Sequence, residues 1–207
     1  MLKNAIIFWG HGTMLYSHSY EVGGKDPNIV SGFLSAFTSF AKEIGEGEIR
    51  SIVMHNSLIL MGIQQEICFT VFFDQDDDEA QGKLILENII SSFLTEYPNL
   101  DKKKPVELTA YIGFTKILDR LALVKNVFEI VETTSALRSI HDIQKAYQDQ
   151  FGLKVSQAKL RDVAEFLVKK NAIRKLKEGK NISYRKKGEL LKGFSEFKKK
   201  RKSAPPN

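Results

Sequence analysis

The chain opens on a strand pattern. Residues 5–9 (Ala-Ile-Ile-Phe-Trp) form a short apolar run, Gly10-His11-Gly12 supplies a turn, and residues 13–20 read as the returning strand of a hairpin. Gly23-Gly24 then breaks the pattern, and Asp26-Pro27 marks a helix start: an aspartate to cap the free amides and a proline where its missing N–H costs nothing. Ile29, Val30, Phe33, Leu34, Phe37, Phe40, Ala41 and Ile44 follow at helical spacing until Gly45 and Gly47 end the helix. Three further strands are predicted over 49–55, 58–64 and 67–73. The last of these, Ile-Cys-Phe-Thr-Val-Phe-Phe, is apolar on both faces, so its sheet should be covered on both sides.

A second helix is predicted over 79–97, with Leu84, Ile85, Ile89, Ile90, Phe93 and Leu94 as its buried stripe. The polar, proline-containing stretch 101–105 reads as a linker, and helical periodicity resumes from about 107 to 132. Beyond it come a short helix over 140–150, a break at Phe151-Gly152, and a helix from the cap Ser156 to about 171. Its apolar set Leu160, Val163, Ala164, Leu167 and Val168 has the i, i+3, i+4, i+7, i+8 spacing of a one-sided amphipathic helix. Two strands, 172–176 and 181–185, flank a tip at Lys177-Glu178-Gly179-Lys180, and residues 198–207 read as a disordered tail.

Composition is that of an ordinary globular protein: 207 residues, 43% hydrophobic and 27% charged. The distribution of charge is more telling. Residues 1–100 carry a net −8, residues 101–150 a net +1 and residues 151–207 a net +13. Such asymmetry predicts two modules with different partners, the basic one facing an anionic surface. The single cysteine, Cys68, excludes an intramolecular disulfide and fits a reducing compartment. No apolar run is long enough for a membrane span, and a cytoplasmic location is expected.

The candidate chemistry is sparse. The acidic run 74–79 lacks the glycine and glutamate of a calcium loop, so its carboxylates are expected to complement a helix start. His11, His18, His55 and His141 stand at no metal-ligand spacing with one another or with Cys68. Neither Gly10-His11-Gly12 nor Gly23-Gly24-Lys25-Asp26 completes a phosphate loop, and no nucleophile has an acid–base partner in view. The expectation is therefore a non-enzymatic protein with no cofactor and no metal.

Two resemblances add to this reading. Gly12-Thr13-Met14-Leu15-Tyr16-Ser17, the helix start Asp26-Pro27-Asn28-Ile29-Val30-Ser31-Gly32-Phe33-Leu34-Ser35-Ala36-Phe37 and the helix end Phe93-Leu94-Thr95-Glu96-Tyr97 resemble the longin domain. The resemblance implies an α+β fold over residues 1–126: a five-stranded antiparallel sheet with helices on both faces. Longin and the related roadblock folds recur as interaction platforms in small-GTPase regulation and vesicle trafficking. The implied partner is thus a small GTPase or another longin- or roadblock-type subunit, with homodimerisation through the sheet edges and the apolar helix 26–44 also in view.

Residues 127–190 resemble a small winged helix-turn-helix domain, the phrase Leu167-Val168-Lys169-Lys170-Asn171-Ala172-Ile173-Arg174-Lys175 standing where recognition helix joins wing. That resemblance places Ser156, Gln157, Lys159, Arg161 and Asp162 toward a DNA groove, and Lys175, Lys177, Lys180, Arg185 and Lys186 on the wing. The alternative function is then a DNA-binding transcription regulator, its affinity dominated by phosphate contacts. Winged helices also bind protein, so the fold alone leaves both open. The basic tail 191–207, through Lys198, Lys199, Lys200, Arg201 and Lys202, is expected to reach an anionic membrane or remain solvated.

Overall fold

A computed structural model of the chain describes residues 1–21, 26–100, 108–133, 138–179 and 181–187. The chain divides into two compact units, Met1–Asp119 and Arg120–Asn207.

The first unit is built on five strands: β1 (Leu2–Trp9), β2 (Met14–Ser19), β3 (Ser51–Met54), β4 (Ser57–Gln64) and β5 (Ile67–Phe73). They form one antiparallel sheet in the order β2-β1-β5-β4-β3, so β2 and β3 are its edges. Helix α1 (Pro27–Glu43) lies on one face, where Leu34 packs with Ile6, Phe8, Ile59, Met61 and Cys68. Successive residues of a strand point to opposite faces, and the other face carries α2 (Glu79–Glu96). The approach of α2 is close enough that Gly62 and Gly82 are required. A Cβ at Gly62 would fall 2.8 Å from Ile90 Cδ1, and one at Gly82 would fall 2.6 Å from Leu60 Cδ1.

A 3-10 segment, Leu108–Phe114, and helix α3 (Thr115–Glu132) follow. Phe114 is fully buried, edge-on to Phe93 of α2 at 5.0 Å and to Tyr16 of β2 at 5.4 Å. The doubly apolar strand is therefore covered as expected: in β5 only Phe72 is less than fully buried. The acidic run also behaves as expected. Asp78 accepts a hydrogen bond from the amide of Gln81 at 2.9 Å and caps α2, while Asp74 pairs with Lys3 at 3.0 Å.

In the second unit Val124, Val127, Phe128, Ile130 and Val131 of α3 share a core with α4 (Ile140–Phe151), α5 (Gln157–Lys169) and a small sheet. That sheet joins β6 (Arg138–Ser139), β8 (Asn181–Lys186) and β7 (Ile173–Glu178) in the order β6-β8-β7. Both helix starts are set locally. The Ser139 hydroxyl accepts from the amide of Asp142 and the Asp142 carboxylate from the amide of Ser139, a reciprocal box. Ser156 accepts from the amide of Lys159. Gly152 ends α4 at φ 68°, a left-handed position that suits glycine.

The departures from the sequence reading are few. β3 is shorter than 49–55. The helical stretch before residue 115 is 3-10 rather than α, and α5 stops at Lys169, with Asn171 at φ 62°. The hairpin strands end later than expected, β7 at Glu178 and β8 at Lys186. β6 was not anticipated, because two residues carry no periodicity. The linker 101–105, Lys180 and the tail 191–207 lie outside the described residues.

Candidate interaction site

The outer face of α1 is the most unusual surface of the first unit. The helix starts where Asp26 Oδ1 accepts from the amide of Asn28 at 2.9 Å, with Pro27 in its first turn. Its buried side is small and partly polar: Ser31, Leu34, Ser35, Thr38 and Ala41. The hydroxyls are satisfied. Ser31 donates to the carbonyl of Gly12 at 3.1 Å, Ser35 to the carbonyl of Gly10 at 2.6 Å, and Thr38 to Leu34 in its own helix at 2.8 Å. The two serines anchor α1 on the β1–β2 turn. Gly12, at φ 95°, lets that turn approach to 3.6 Å between its Cβ position and Ser35 Cβ.

With the small side inward, the bulky side faces out. Ile29 is 72% exposed, Phe33 64%, Phe37 39%, Phe40 54% and Ile44 55%. Phe33 and Phe37 stack at 5.9 Å with a 19° interplanar angle. Leaving one such side chain in water forgoes about 1.5–3 kcal/mol of burial, and a contiguous apolar patch of this kind marks an interaction site. Charge is absent from the stripe, since within α1 only Lys42 and Glu43 are ionised, both at its C-terminal end. Gly32 and Ala36 are exposed on the same helix, and a Cβ built at Gly32 meets no atom within 4 Å among the described residues.

Phe37 and Ala41 continue into a groove of about 370 Å³, completed by Gly47, Ile49, Ser51 and Ile52 and rimmed by Glu46 and Glu48. The groove leads to β3, an edge strand without lysine, proline or bulge, on which Val53 and Met54 are exposed. Such an edge offers unpaired backbone groups to another strand.

The basic residues singled out from sequence all belong to the second unit. Ser156 caps α5, and Gln157 donates to Gln144 Oε1 at 3.1 Å. Lys159, Arg161 and Asp162 are exposed on α5, and Lys177 and Arg185 on the hairpin, where Arg185 stands opposite Arg174. Two of the set are engaged internally: Lys175 pairs with Glu165 at 2.5 Å, and Lys186 with Glu132. The hydrogen bond from Lys175 holds the Glu165 carboxyl below its ordinary range. Tyr184 donates to the same carboxylate at 3.2 Å, and burial, with the Glu165 charge, pushes its phenol up to about 12. Lys180 lies outside the described residues.

Among the described residues no three His, Cys, Asp or Glu side chains gather in a metal-sized cluster, and no helix is long and apolar enough to cross a membrane. Cys68 is buried in β5, where desolvation raises its thiol above the ordinary value. The α1 surface was only partly legible in the sequence. Apolar spacing announced the helix, but Ser31 and Ser35, which reach the turn, are what decide which side is exposed.

No protein-family model matches the chain, and no curated protein does. Similar folds are found among known structures. The roadblock/LC7 domain from Streptomyces avermitilis aligns at 14% identity over 47% of this chain and 82% of that one, with a TM-score of 0.35. MglB of Myxococcus xanthus aligns at 17% identity over 48% and 85%, with a TM-score of 0.39. A chain from a homology model of the full-length AP-3 complex in a stretched open conformation aligns at 10% identity over 82% and 95%, with a TM-score of 0.44. At these identities and scores nothing about function transfers from them.

Proposed function

We propose that this protein is a non-enzymatic interaction platform whose α1 face and neighbouring β3 edge bind a protein partner. One observation carries the reading. α1 turns its hydroxyl-bearing side inward and leaves Ile29, Phe33, Phe40 and Ile44 more than half exposed. A solvated helix face normally has the opposite composition, and among the described residues of its unit nothing covers this one. The longin resemblance in the sequence makes a small GTPase, or a longin- or roadblock-type subunit of a trafficking assembly, the partner class we propose. We read the second unit as a winged-helix module. The engagement of Lys175 and Lys186 with Glu165 and Glu132 favours a structural use of part of its basic set over contact with nucleic acid.

The test is calorimetric titration of the purified protein with purified small GTPases, in GDP and GTP-analogue states, and with longin-type subunits. At least one pairing should bind in the micromolar range, roughly −8 kcal/mol. Phe33→Asp with Phe40→Asp should weaken it by at least about tenfold with circular dichroism unchanged, because these side chains contribute to an interface rather than to the core. If the double variant leaves every association unchanged, self-association included, the platform reading fails.

A further inference from the structure

We infer that the free edge of β7, in the second unit, takes an acidic, extended segment of a protein partner as a fourth strand. β7 ends the sheet β6-β8-β7, so among the described residues one side of its backbone is unpaired. Such an edge accepts another strand through main-chain hydrogen bonds, and the side chains beside it select which strand.

Those side chains are cationic on both faces of the sheet. Ile173 and Tyr184 point into the core, so Lys175 and Lys177 share that face of β7, and Arg174, Leu176 and Glu178 occupy the other. Arg174 stands opposite Arg185 of β8, and both are exposed. Like charges directly opposite each other destabilise a strand pair. Cations on an edge strand ordinarily serve to repel other strands, but Arg185 lies on the central strand and guards no edge. An anion shared by the two guanidiniums accounts for the pair. Lys175 is already neutralised by Glu165, whereas Arg174, Arg185 and Lys177 have no carboxylate partner among the described residues.

This pattern specifies the incoming sequence. A residue added beside β7 lies on the same face as the β7 residue it opposes. One carboxylate therefore belongs opposite Arg174, where Arg185 can also reach it across two strand spacings, about 10 Å. A second belongs opposite Lys177, and an apolar residue opposite the half-buried Leu176. The two acids are three residues apart whichever way the strand runs. A spacing of four fails, because one acid then meets Glu178 or Ile173. Glu178 on the hairpin and Asp162 on the exposed side of α5 also repel a continuous phosphate backbone, which favours a peptide with discrete charges over nucleic acid.

Fluorescence anisotropy of the full chain with a labelled peptide, Ser-Thr-Glu-Val-Thr-Glu-Thr-Ser, tests the site. Laid antiparallel, it sets its valine against Leu176 and its glutamates against Lys177 and Arg174. Exposed ion pairs contribute little singly, so a dissociation constant of about 10–100 µM at about 50 mM salt is expected. Glutamine in place of both glutamates should weaken binding by at least about tenfold, and so should a peptide of the same composition with its glutamates four apart. N-methylation of two successive amides in the central stretch should abolish binding, because one of the two faces β7. Arg174→Glu with Arg185→Glu should lose the parent peptide and bind one whose second glutamate is replaced by lysine.

Absence of binding by the parent peptide at about 1 mM overturns the inference. Equal binding of the four-apart peptide, or binding that survives N-methylation, overturns the added strand. A charge-matched DNA duplex that binds more tightly than the peptide assigns the face to nucleic acid and overturns the inference as well. The peptide arms leave the protein unaltered, so misfolding of a variant cannot imitate them.

Discussion

Gly32→Ala and Gly82→Ala add the same methyl group to the interiors of two helices and should shift stability in opposite directions. Both gain about 1 kcal/mol of helix propensity from the replacement. At Gly32 nothing offsets the gain, because among the described residues no atom beyond its own stretch of helix lies within 4 Å of the new carbon. At Gly82 the methyl would arrive 2.6 Å from Leu60 Cδ1 and 3.2 Å from Phe73 Cε2, both in fully buried side chains. Overpacking of this kind costs about 1–3 kcal/mol, which leaves a net loss of roughly 1 kcal/mol after the propensity gain. For a unit of this size 1 kcal/mol corresponds to about 4 °C in Tm. Thermal unfolding followed by circular dichroism, at a concentration low enough to suppress self-association, should therefore show Gly32→Ala above wild type and Gly82→Ala below it. A lowered Tm for Gly32→Ala would show that its Cβ meets protein. The outer face of α1 would then be covered by the chain itself, and the platform reading would lose its basis.

Two further outcomes are expected. Ser35→Ala removes the donor that reaches the Gly10 carbonyl at 2.6 Å and should cost about 1–2 kcal/mol in a urea titration; no change would mean that this hydroxyl does not anchor the helix. Glu165, held below its ordinary pKa first by the hydrogen bond from Lys175, contributes stability that is present above its unfolded pKa and is lost as pH falls through the folded value. The Tm difference between wild type and Glu165→Gln should shrink as pH is lowered from 5 toward 3. The effect will be small because both partners are partly solvated, and a difference independent of pH would remove the pairing from the account of stability.

Local chemistry wrote much of this protein into its sequence. Asp26-Pro27 and Ser156 start their helices because a cap needs only neighbours three or fewer residues away. Ile67–Phe73 announced a sheet covered on both sides because alternation along a strand is itself a statement about its two faces. The −8 of the first hundred residues and the +13 of the last fifty-seven are likewise read from composition alone.

What the sequence left undetermined depends on residues far apart in the chain. α1 is small or apolar around most of its circumference, so helical period alone does not say which side turns inward. The choice is made by the carbonyls of Gly10 and Gly12, which receive Ser35 and Ser31 and send Phe33 and Phe40 to the surface. β6 exists only because β8 lies beside it. Lys175 and Lys186 read as exposed cations until the fold brings Glu165 and Glu132 to them. Each of these is a meeting of groups that no local window contains, so tertiary structure alone decides which surface is open to a partner.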